Sequence, residues 1–210
     1  MKTALVVGAA GAVGSELVRQ LCEHENYAKV IVLARKQLKF SHEKLEVKIV
    51  NFDEISNLPS LFVDEVFCAL GTTIKQAGSK EQFKKVDFHY TIKIATWAKN
   101  GDAKRFVLMS SNGADENSKF FYLQVKGEVE NRIKELGFYS FHVARLPLID
   151  AKRDEFRLGE RFAVWLFKFI PKSILKAHHP MTPASIAKAV IKATQSDESG
   201  MQIYHPREIK

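Results

Sequence analysis

The sequence predicts an α/β fold, a doubly wound parallel sheet that forms one domain over residues 1–210. Short apolar runs of strand length recur along the chain, and segments with helical periodicity fill the intervals between them. The runs are continuously apolar, which is typical of parallel strands that helices cover on both faces. Strands and helices that alternate in this way form a doubly wound sheet.

Six strands are predicted in chain order: Thr3–Ala9, Lys29–Ala34, Leu45–Val50, Glu65–Leu70, Arg105–Met109 and Phe141–Leu146. Helices are predicted at Ser15–Glu25 and Phe83–Lys99, where apolar residues return to one helical face. Thr182 and Pro183 are residue types that favour the start of a helix, so a further helix is predicted after them. Its buried face is formed by Ile186, Ala187, Val190 and Ile191.

The composition narrows the class of protein. With 210 residues, 46% of them hydrophobic, the chain can bury one sizeable core, and it lacks the run of roughly 18 apolar residues that a membrane span needs. Cys22 and Cys68 fall in apolar elements, so we interpret them as buried thiols in a reducing compartment and expect a cytoplasmic location. The net charge of +8 favours anionic partners, although an ordinary basic surface also accounts for it. No nucleic-acid-binding module is recognised, so we expect no nucleic-acid partner.

A glycine-rich turn follows the first strand and leads directly into a helix. Its glycines let the chain turn tightly and bring backbone N–H groups against a pyrophosphate, which the positive end of the helix also attracts. Because strand, turn, helix and second strand come in this order, the motif favours a dinucleotide-binding Rossmann fold over an ordinary tight turn. The predicted cofactor contacts in this turn are Gly8, Gly11, Ala12, Val13 and Gly14.

The end of the second strand predicts which nicotinamide cofactor binds. An acidic residue there would bind the free 2′-hydroxyl of the adenosine ribose. This chain instead has Arg35 and Lys36, and such cations suit a 2′-phosphate, to which arginine offers a planar fork. The sequence therefore predicts NADP(H) in preference to NAD(H). The alternative is that Arg35 is a solvated cation at the end of the strand.

Two further strand ends supply predicted cofactor contacts, because ligands bind beyond the carboxyl ends of the strands. Asp53 follows the third strand and is either close to the adenine amino group or part of an ordinary strand exit. Ala69, Leu70 and Gly71 follow the fourth strand, and they include the small residues needed where the backbone runs beside the cofactor.

A reactive group of side chains is predicted after the fifth strand. Ser111 ends that strand, and Tyr122 and Lys126 follow four residues apart, which places phenol and ammonium on one face of a helix. The ammonium favours the phenolate, so Tyr122 can donate a proton to a carbonyl oxygen or remove one from an alcohol. Ser111 would donate a hydrogen bond to the same oxygen. The alternative is an exposed helical pair with no chemistry.

These residues resemble the motifs of the short-chain dehydrogenase/reductases. More narrowly, nearly the whole chain resembles the atypical branch of Tat-interacting-protein-like oxidoreductases. The supporting strings are FCALGTT at 67–73, AGS at 77–79, LMSSNGAD at 108–115, FYLQVKGE at 121–128 and RLGE at 157–160. The resemblance implies a Rossmann fold, an NADP(H) site, and Ser111, Tyr122 and Lys126 as the catalytic triad.

Three features depart from the wider family. Asp87 stands where many extended members have asparagine, which puts a water-mediated proton relay in doubt. Arg145-Leu146-Pro147 replaces Arg-Pro-Gly after the sixth strand, and Pro147 is the predicted contact to the cofactor in this loop. Residues 150–181, which we interpret as a small lid on the substrate side, are short compared with the substrate domains of nucleotide-sugar epimerases.

The segment before the last helix has an unusual composition. Residues 158–170 are too apolar for a freely exposed helix, and basic residues flank them between positions 153 and 176. Packing over the cofactor cleft, a substrate lid, a dimer face and an interfacial membrane helix are all compatible with this pattern. His178 and His179 have no ligand partner at a recognisable spacing, so we expect no metal site.

Taken with the resemblance, the residues predict an NADP(H)-dependent oxidoreductase that reduces the carbonyl group of a small substrate or oxidises the alcohol. The alternative is an NADP(H)-binding regulatory or protein-interaction module, because a fold alone does not decide function. The intact Ser–Tyr–Lys set favours the enzyme. We expect a monomer or homodimer whose ligands are the nicotinamide cofactor and an unidentified small molecule.

Overall fold

The computed structural model describes residues 1–146, 181–204 and 208. Its described part contains one sheet of seven parallel strands, in the order β3-β2-β1-β4-β5-β6-β7. The strands are β1 (Lys2–Val7), β2 (Tyr27–Ala34), β3 (Leu45–Ile49), β4 (Glu65–Cys68), β5 (Arg105–Ser111), β6 (Ser140–Leu146) and β7 (Gly200–Tyr204). The order reverses between β1 and β4, so a crevice for a ligand is expected at their carboxyl ends. The prediction of a single-domain, doubly wound sheet is confirmed.

Helices cover both faces of this sheet. They are α1 (Ala12–Glu23), α2 (Ile74–Ala77), α3 (Lys80–Lys84), α4 (Thr91–Asn100), α5 (Phe121–Lys134) and α6 (Pro183–Ala193), with a 3-10 helix at Phe52–Asn57 and a π-helical turn at Lys85–Tyr90. One buried cluster joins α1 and α6 to the sheet through side chains such as Leu17 and Ile186. A second cluster, with Ile94 of α4 and Ile133 of α5, fills the opposite face. Each large apolar side chain buried in this way contributes about 1.5–3 kcal/mol.

All six predicted strands are present, with boundaries that move by a few residues. The first strand ends at Val7 and not at Ala9, because Gly8 turns the chain with a φ of +88°. The fourth strand ends at Cys68, whereas the fifth continues to Ser111. The predicted face of α6 is buried, and the Thr182 hydroxyl accepts a hydrogen bond from the Ser185 N–H as the N-cap.

Sequence reasoning missed β7 and misjudged the helix after β4. Strand β7 lies beside β6 and has no continuous apolar run, since its five residues are only partly buried or exposed. The helix predicted at Phe83–Lys99 starts earlier, where the Ser79 hydroxyl caps α3. It is also irregular, because a π-helical turn replaces the α-helical pattern between α3 and α4.

Several predictions fall outside the described residues: Pro147, the apolar segment 158–170, the histidines at 178 and 179, and all of the lid 150–181 except Met181. Among the helices of the described ranges, none combines the length and apolar character needed to cross a membrane.

Candidate active site

The glycine turn lies against the loop that follows β4. A Cβ atom on Gly8 would lie 2.3 Å from the carbonyl oxygen of Ala69, and one on Gly14 would lie 2.1 Å from that of Gly8. Any side chain at either position would therefore force the backbone apart. Gly11 is the N-cap of α1 and supplies no side-chain cap, so Ala12 and Val13 open a helix whose first N–H groups remain suited to an anion.

The two cations predicted to bind a 2′-phosphate lie at the exit of β2. Arg35 and Lys36 are both exposed, and within the described residues neither forms an ion pair. They lie beyond the carboxyl end of a strand that neighbours β1, on the same edge of the sheet as the glycine turn. This strand end has no acidic residue that could bind the 2′-hydroxyl of the adenosine ribose.

Asp53 is joined to the π-helical turn. Its carboxylate lies 2.8 Å from the Lys85 ammonium and accepts a 2.9 Å hydrogen bond from the Tyr90 hydroxyl. Lys85 and then Tyr90 lower the pKa of Asp53, although the side chain is largely exposed. A carboxylate has about four acceptor sites, so these bonds leave room for a further donor. The contact to the adenine amino group stays a prediction.

The loop after β4 connects the predicted cofactor side of the site to the predicted catalytic side. The Ala69 N–H donates to the Val7 carbonyl, and Leu70 follows half-buried. Gly71 is exposed, and a Cβ atom there would lie 3.6 Å from Asp87 Oδ1 and 3.8 Å from Lys126 Nζ. The structure thus brings this loop next to the predicted catalytic lysine.

The predicted catalytic residues lie at the carboxyl edge of β5 and in the first turns of α5. Ser111 is the last residue of β5 and is half-buried. Tyr122 and Lys126 lie one helical turn apart, with the ammonium 5.9 Å from the centre of the phenol ring. The Tyr122 ring packs against Phe83 of α3, with 5.7 Å between ring centres, so its orientation is supported from outside α5. The predicted pairing of Tyr122 with Lys126 on one helical face is therefore present, and the catalytic roles stay predictions.

Sequence reasoning did not anticipate the partner of Lys126. The Asp87 carboxylate, noted only as a departure from the family pattern, lies 2.7 Å from the Lys126 ammonium. Burial lowers the pKa of Lys126, but the charges of Asp87 and Tyr122 outweigh it, so the net direction is upward. Lys126 is therefore held as an ammonium ion inside the protein. No sequence spacing indicates this contact, because the two residues lie on different helices.

A second ion pair, between a buried carboxylate and a half-buried guanidinium, supports the end of β5 and was also missed. The Glu130 carboxylate on α5 forms an ion pair with the Arg145 guanidinium on β6, and Arg145 Nη2 lies 2.6 Å from Glu130 Oε2. The hydroxyl of Ser110, the neighbour of Ser111, donates to the same carboxylate. A sequence signal was present, since Arg145 places a permanent charge in β6, a strand whose other residues are mostly apolar.

The described residues offer no cluster of metal ligands. Over residues 1–146 and 181–204, no group of three or more histidine, cysteine or acidic side chains is arranged to hold a metal ion. Cys22 and Cys68 are buried and free, as predicted.

Comparison with known proteins identifies the family. A family model described as NAD(P)H-binding matches residues 8–144. The chain belongs to this NAD(P)H-binding family. It is 34% identical over 204 residues to the rat protein HTATIP2, covering 95% of this chain and 84% of the relative. The resemblance drawn from the sequence motifs is thereby confirmed, and family membership supports a nicotinamide cofactor.

Solved structures similar to this member of the NAD(P)H-binding family share its fold. The Bordetella bronchiseptica enzyme WbmH in complex with NAD+ has a TM-score of 0.73 at 16% identity, covering 98% of this chain and 75% of that one. A short-chain dehydrogenase family protein from Francisella tularensis has a TM-score of 0.68 at 20% identity, covering 91% of this chain and 90% of that one. The fold is therefore a Rossmann fold, as the NAD(P)H-binding family also implies.

The expected cytoplasmic location is wrong, because several relatives are named as mitochondrial proteins. FMP52-1 of Scheffersomyces stipitis is 29% identical, covers 99% of this chain and 96% of its own, and is named as a mitochondrial protein. The fmp52 protein of Emericella nidulans, 32% identical over 85% of this chain and 78% of its own, is named in the same way. Buried free cysteines indicate a reducing environment and do not distinguish one such compartment from another.

Proposed function

We propose that this protein is an NADP(H)-dependent oxidoreductase that interconverts a carbonyl and an alcohol on a small substrate. The observation that carries the proposal is the position of Lys126 on α5, one helical turn from Tyr122 and beside Gly71 in the loop that follows β4. Membership of an NAD(P)H-binding family supports a nicotinamide cofactor as the hydride donor that works with Tyr122 and Lys126.

The residues of the crevice fit the proposed cofactor. The Gly8 and Gly14 positions exclude a Cβ atom, and the uncapped start of α1 favours a pyrophosphate. Within the described residues Arg35 and Lys36 are exposed and form no ion pair, so they remain available to a 2′-phosphate, which supports NADP(H) over NAD(H). Lys126 would also hold the nicotinamide ribose.

The proposed chemistry requires a proton and a hydride. When bound, NADPH supplies the hydride that reaches the carbonyl carbon. Tyr122 donates its phenolic proton to the carbonyl oxygen, which becomes the alcohol, and Lys126 stabilises the phenolate that remains. Ser111 donates a hydrogen bond to the same oxygen and stabilises the charge that develops on it. Oxidation of an alcohol follows the same steps in reverse.

The proposed substrate is small because the segment interpreted as its lid is short. Residues 150–181 are few compared with the substrate domains of nucleotide-sugar epimerases. A small aldehyde, ketone or alcohol is therefore favoured over a nucleotide sugar.

The first test is titration with NADPH and with NADH, followed by fluorescence. We expect NADPH to bind more tightly, and Arg35→Ala to weaken NADPH binding while leaving NADH binding unchanged. Lys39→Ala is the matched control, since Lys39 is an exposed cation in the same loop. Equal affinity for both cofactors would overturn the NADP(H) preference, and binding of neither would overturn the proposed enzyme.

A further inference from the structure

The helix between residues 80 and 100 contains a structural irregularity at its centre. Helices α3 and α4 are joined without a break by the π-helical turn Lys85–Tyr90. Turns of this kind are rare inside helices and are frequently found at functional sites. Asp87 lies within the turn, and its carboxylate is almost fully buried, with 2% of the residue exposed. A buried carboxylate is costly unless a partner compensates it.

Two partners from different parts of the fold contact this carboxylate. One oxygen, Oδ1, lies 2.7 Å from the Lys126 ammonium on α5. The other, Oδ2, accepts a 2.8 Å hydrogen bond from the backbone N–H of Thr72, in the loop after β4. Asp87 therefore joins the predicted catalytic lysine to the loop that we assign to the cofactor.

The buried ammonium of Lys126 needs a negative charge nearby to remain protonated. Burial alone would drive the ammonium towards its neutral form, since a charged group loses its hydration in the interior. The other groups whose charge acts on Lys126 are Tyr122 on α5 and Cys68 on β4. Burial raises the pKa of Cys68 to about 11, so this thiol is neutral near pH 7. Within the described residues, Asp87 is the one carboxylate that pairs with Lys126.

We propose that Asp87 is a positioning residue of this site, which keeps Lys126 protonated in a buried environment and fixes the Gly71–Thr72 loop against it. Asparagine at this position could bond the loop but would carry no charge to balance the ammonium. The catalytic consequence rests on the proposed function, whereas the effect on Lys126 itself does not.

The test measures the titration of Lys126 directly. Lysine labelled with carbon-13 at Cε gives an NMR signal that reports the protonation of each amine, and the signal missing in Lys126→Arg assigns the residue. In the wild type we expect Lys126 to titrate above an ordinary lysine. In Asp87→Asn we expect it to titrate lower than in the wild type, by about one pH unit or more.

Glu81→Gln is the matched control, because Glu81 is an exposed carboxylate on the same helix, and it should leave the titration unchanged. Equal titration of Lys126 in the wild type and Asp87→Asn would overturn the proposal. If Asp87→Asn does not fold, the wild type alone decides, since a Lys126 that titrates at or below an ordinary lysine also contradicts it.

Activity provides a second readout. We expect Asp87→Asn to change the pH dependence of kcat, whereas loss of stability alone would lower the amount of active protein without moving the profile. If no carbonyl substrate is turned over, the proposed function fails, while the NMR titration still decides the role of Asp87.

Discussion

The guanidinium of Arg145 on β6 lies 2.6 Å from the carboxylate of Glu130 on α5, and 2% of Glu130 is exposed. Ser110, next to Ser111, donates to the same carboxylate. The Glu130 carboxylate therefore links α5, which carries Tyr122 and Lys126, to strands β5 and β6. Its removal should affect both stability and the alignment of the site.

Glu130→Ala leaves the Arg145 guanidinium and the Ser110 hydroxyl without their shared acceptor. We expect the free energy of unfolding to fall by about 3 kcal/mol, measured by urea denaturation. Glu135→Ala is the control, since its ion pair with Arg132 is exposed and should contribute less than about 1 kcal/mol. Similar losses in both variants would show that burial of the pair is unimportant.

Gly14→Ala tests the close contact within the cofactor turn. The added Cβ atom would lie 2.1 Å from the Gly8 carbonyl oxygen, so the turn must open. We expect a loss of stability of about 1–3 kcal/mol, from thermal denaturation, together with loss of NADPH binding by fluorescence. Gly71→Ala is the stability control, because its nearest contact would be an ordinary 3.6 Å. Normal NADPH affinity in Gly14→Ala would contradict the assignment of this turn.

The main features of the fold were predictable because they depend on local patterns. Continuous apolar runs indicated the strands on either side of β1, and the glycine spacing indicated the turn after it. The four-residue spacing of Tyr122 and Lys126 was sufficient to place both on one face of α5. Each of these signals lies within a few neighbouring residues.

The features that were missed depend on distant parts of the chain. The pair formed by Asp87 and Lys126 requires two helices to pack together, and it also requires a π-helical turn that periodicity does not indicate. Strand β7 was missed because an edge strand is covered on fewer sides, so its five residues need no continuous apolar run. Local pattern therefore predicted which residues form the candidate site, but not which charges lie opposite one another within it.

His142 predicts a pH dependence of stability. Burial, and then the charge of Arg105, lower the pKa of His142 to about 4, and its ring bonds to Ser140 and Tyr204. The unfolded chain, with a histidine pKa of about 6.5, binds a proton first as the pH falls. The contribution of the neutral, buried His142 to the free energy of unfolding is therefore complete above about pH 6.5. It is lost as the pH falls towards 4, by up to about 1.4 kcal/mol per pH unit.

The measurement is urea denaturation at several pH values for the wild type and His142→Gln. The difference between them should shrink from pH 7 to pH 4, because the variant has no imidazole to protonate. His89→Gln is the control, since His89 is exposed. The free energy of unfolding of this variant should change with pH as it does in the wild type. A difference that stays constant with pH would contradict the role of the buried imidazole.

Tyr122→Phe tests the proposed proton donor. The phenylalanine ring keeps the packing against Phe83 but has no proton to give to the carbonyl oxygen. Once a substrate is found, we expect kcat to fall by about 10²–10⁴-fold while NADPH affinity, measured by fluorescence, stays within about twofold. Tyr139→Phe is the control, because that hydroxyl belongs to an exposed residue outside the site and its loss should change neither quantity. Full turnover in Tyr122→Phe would mean that another group supplies the proton, and the pairing of phenol and ammonium on α5 would then serve structure alone.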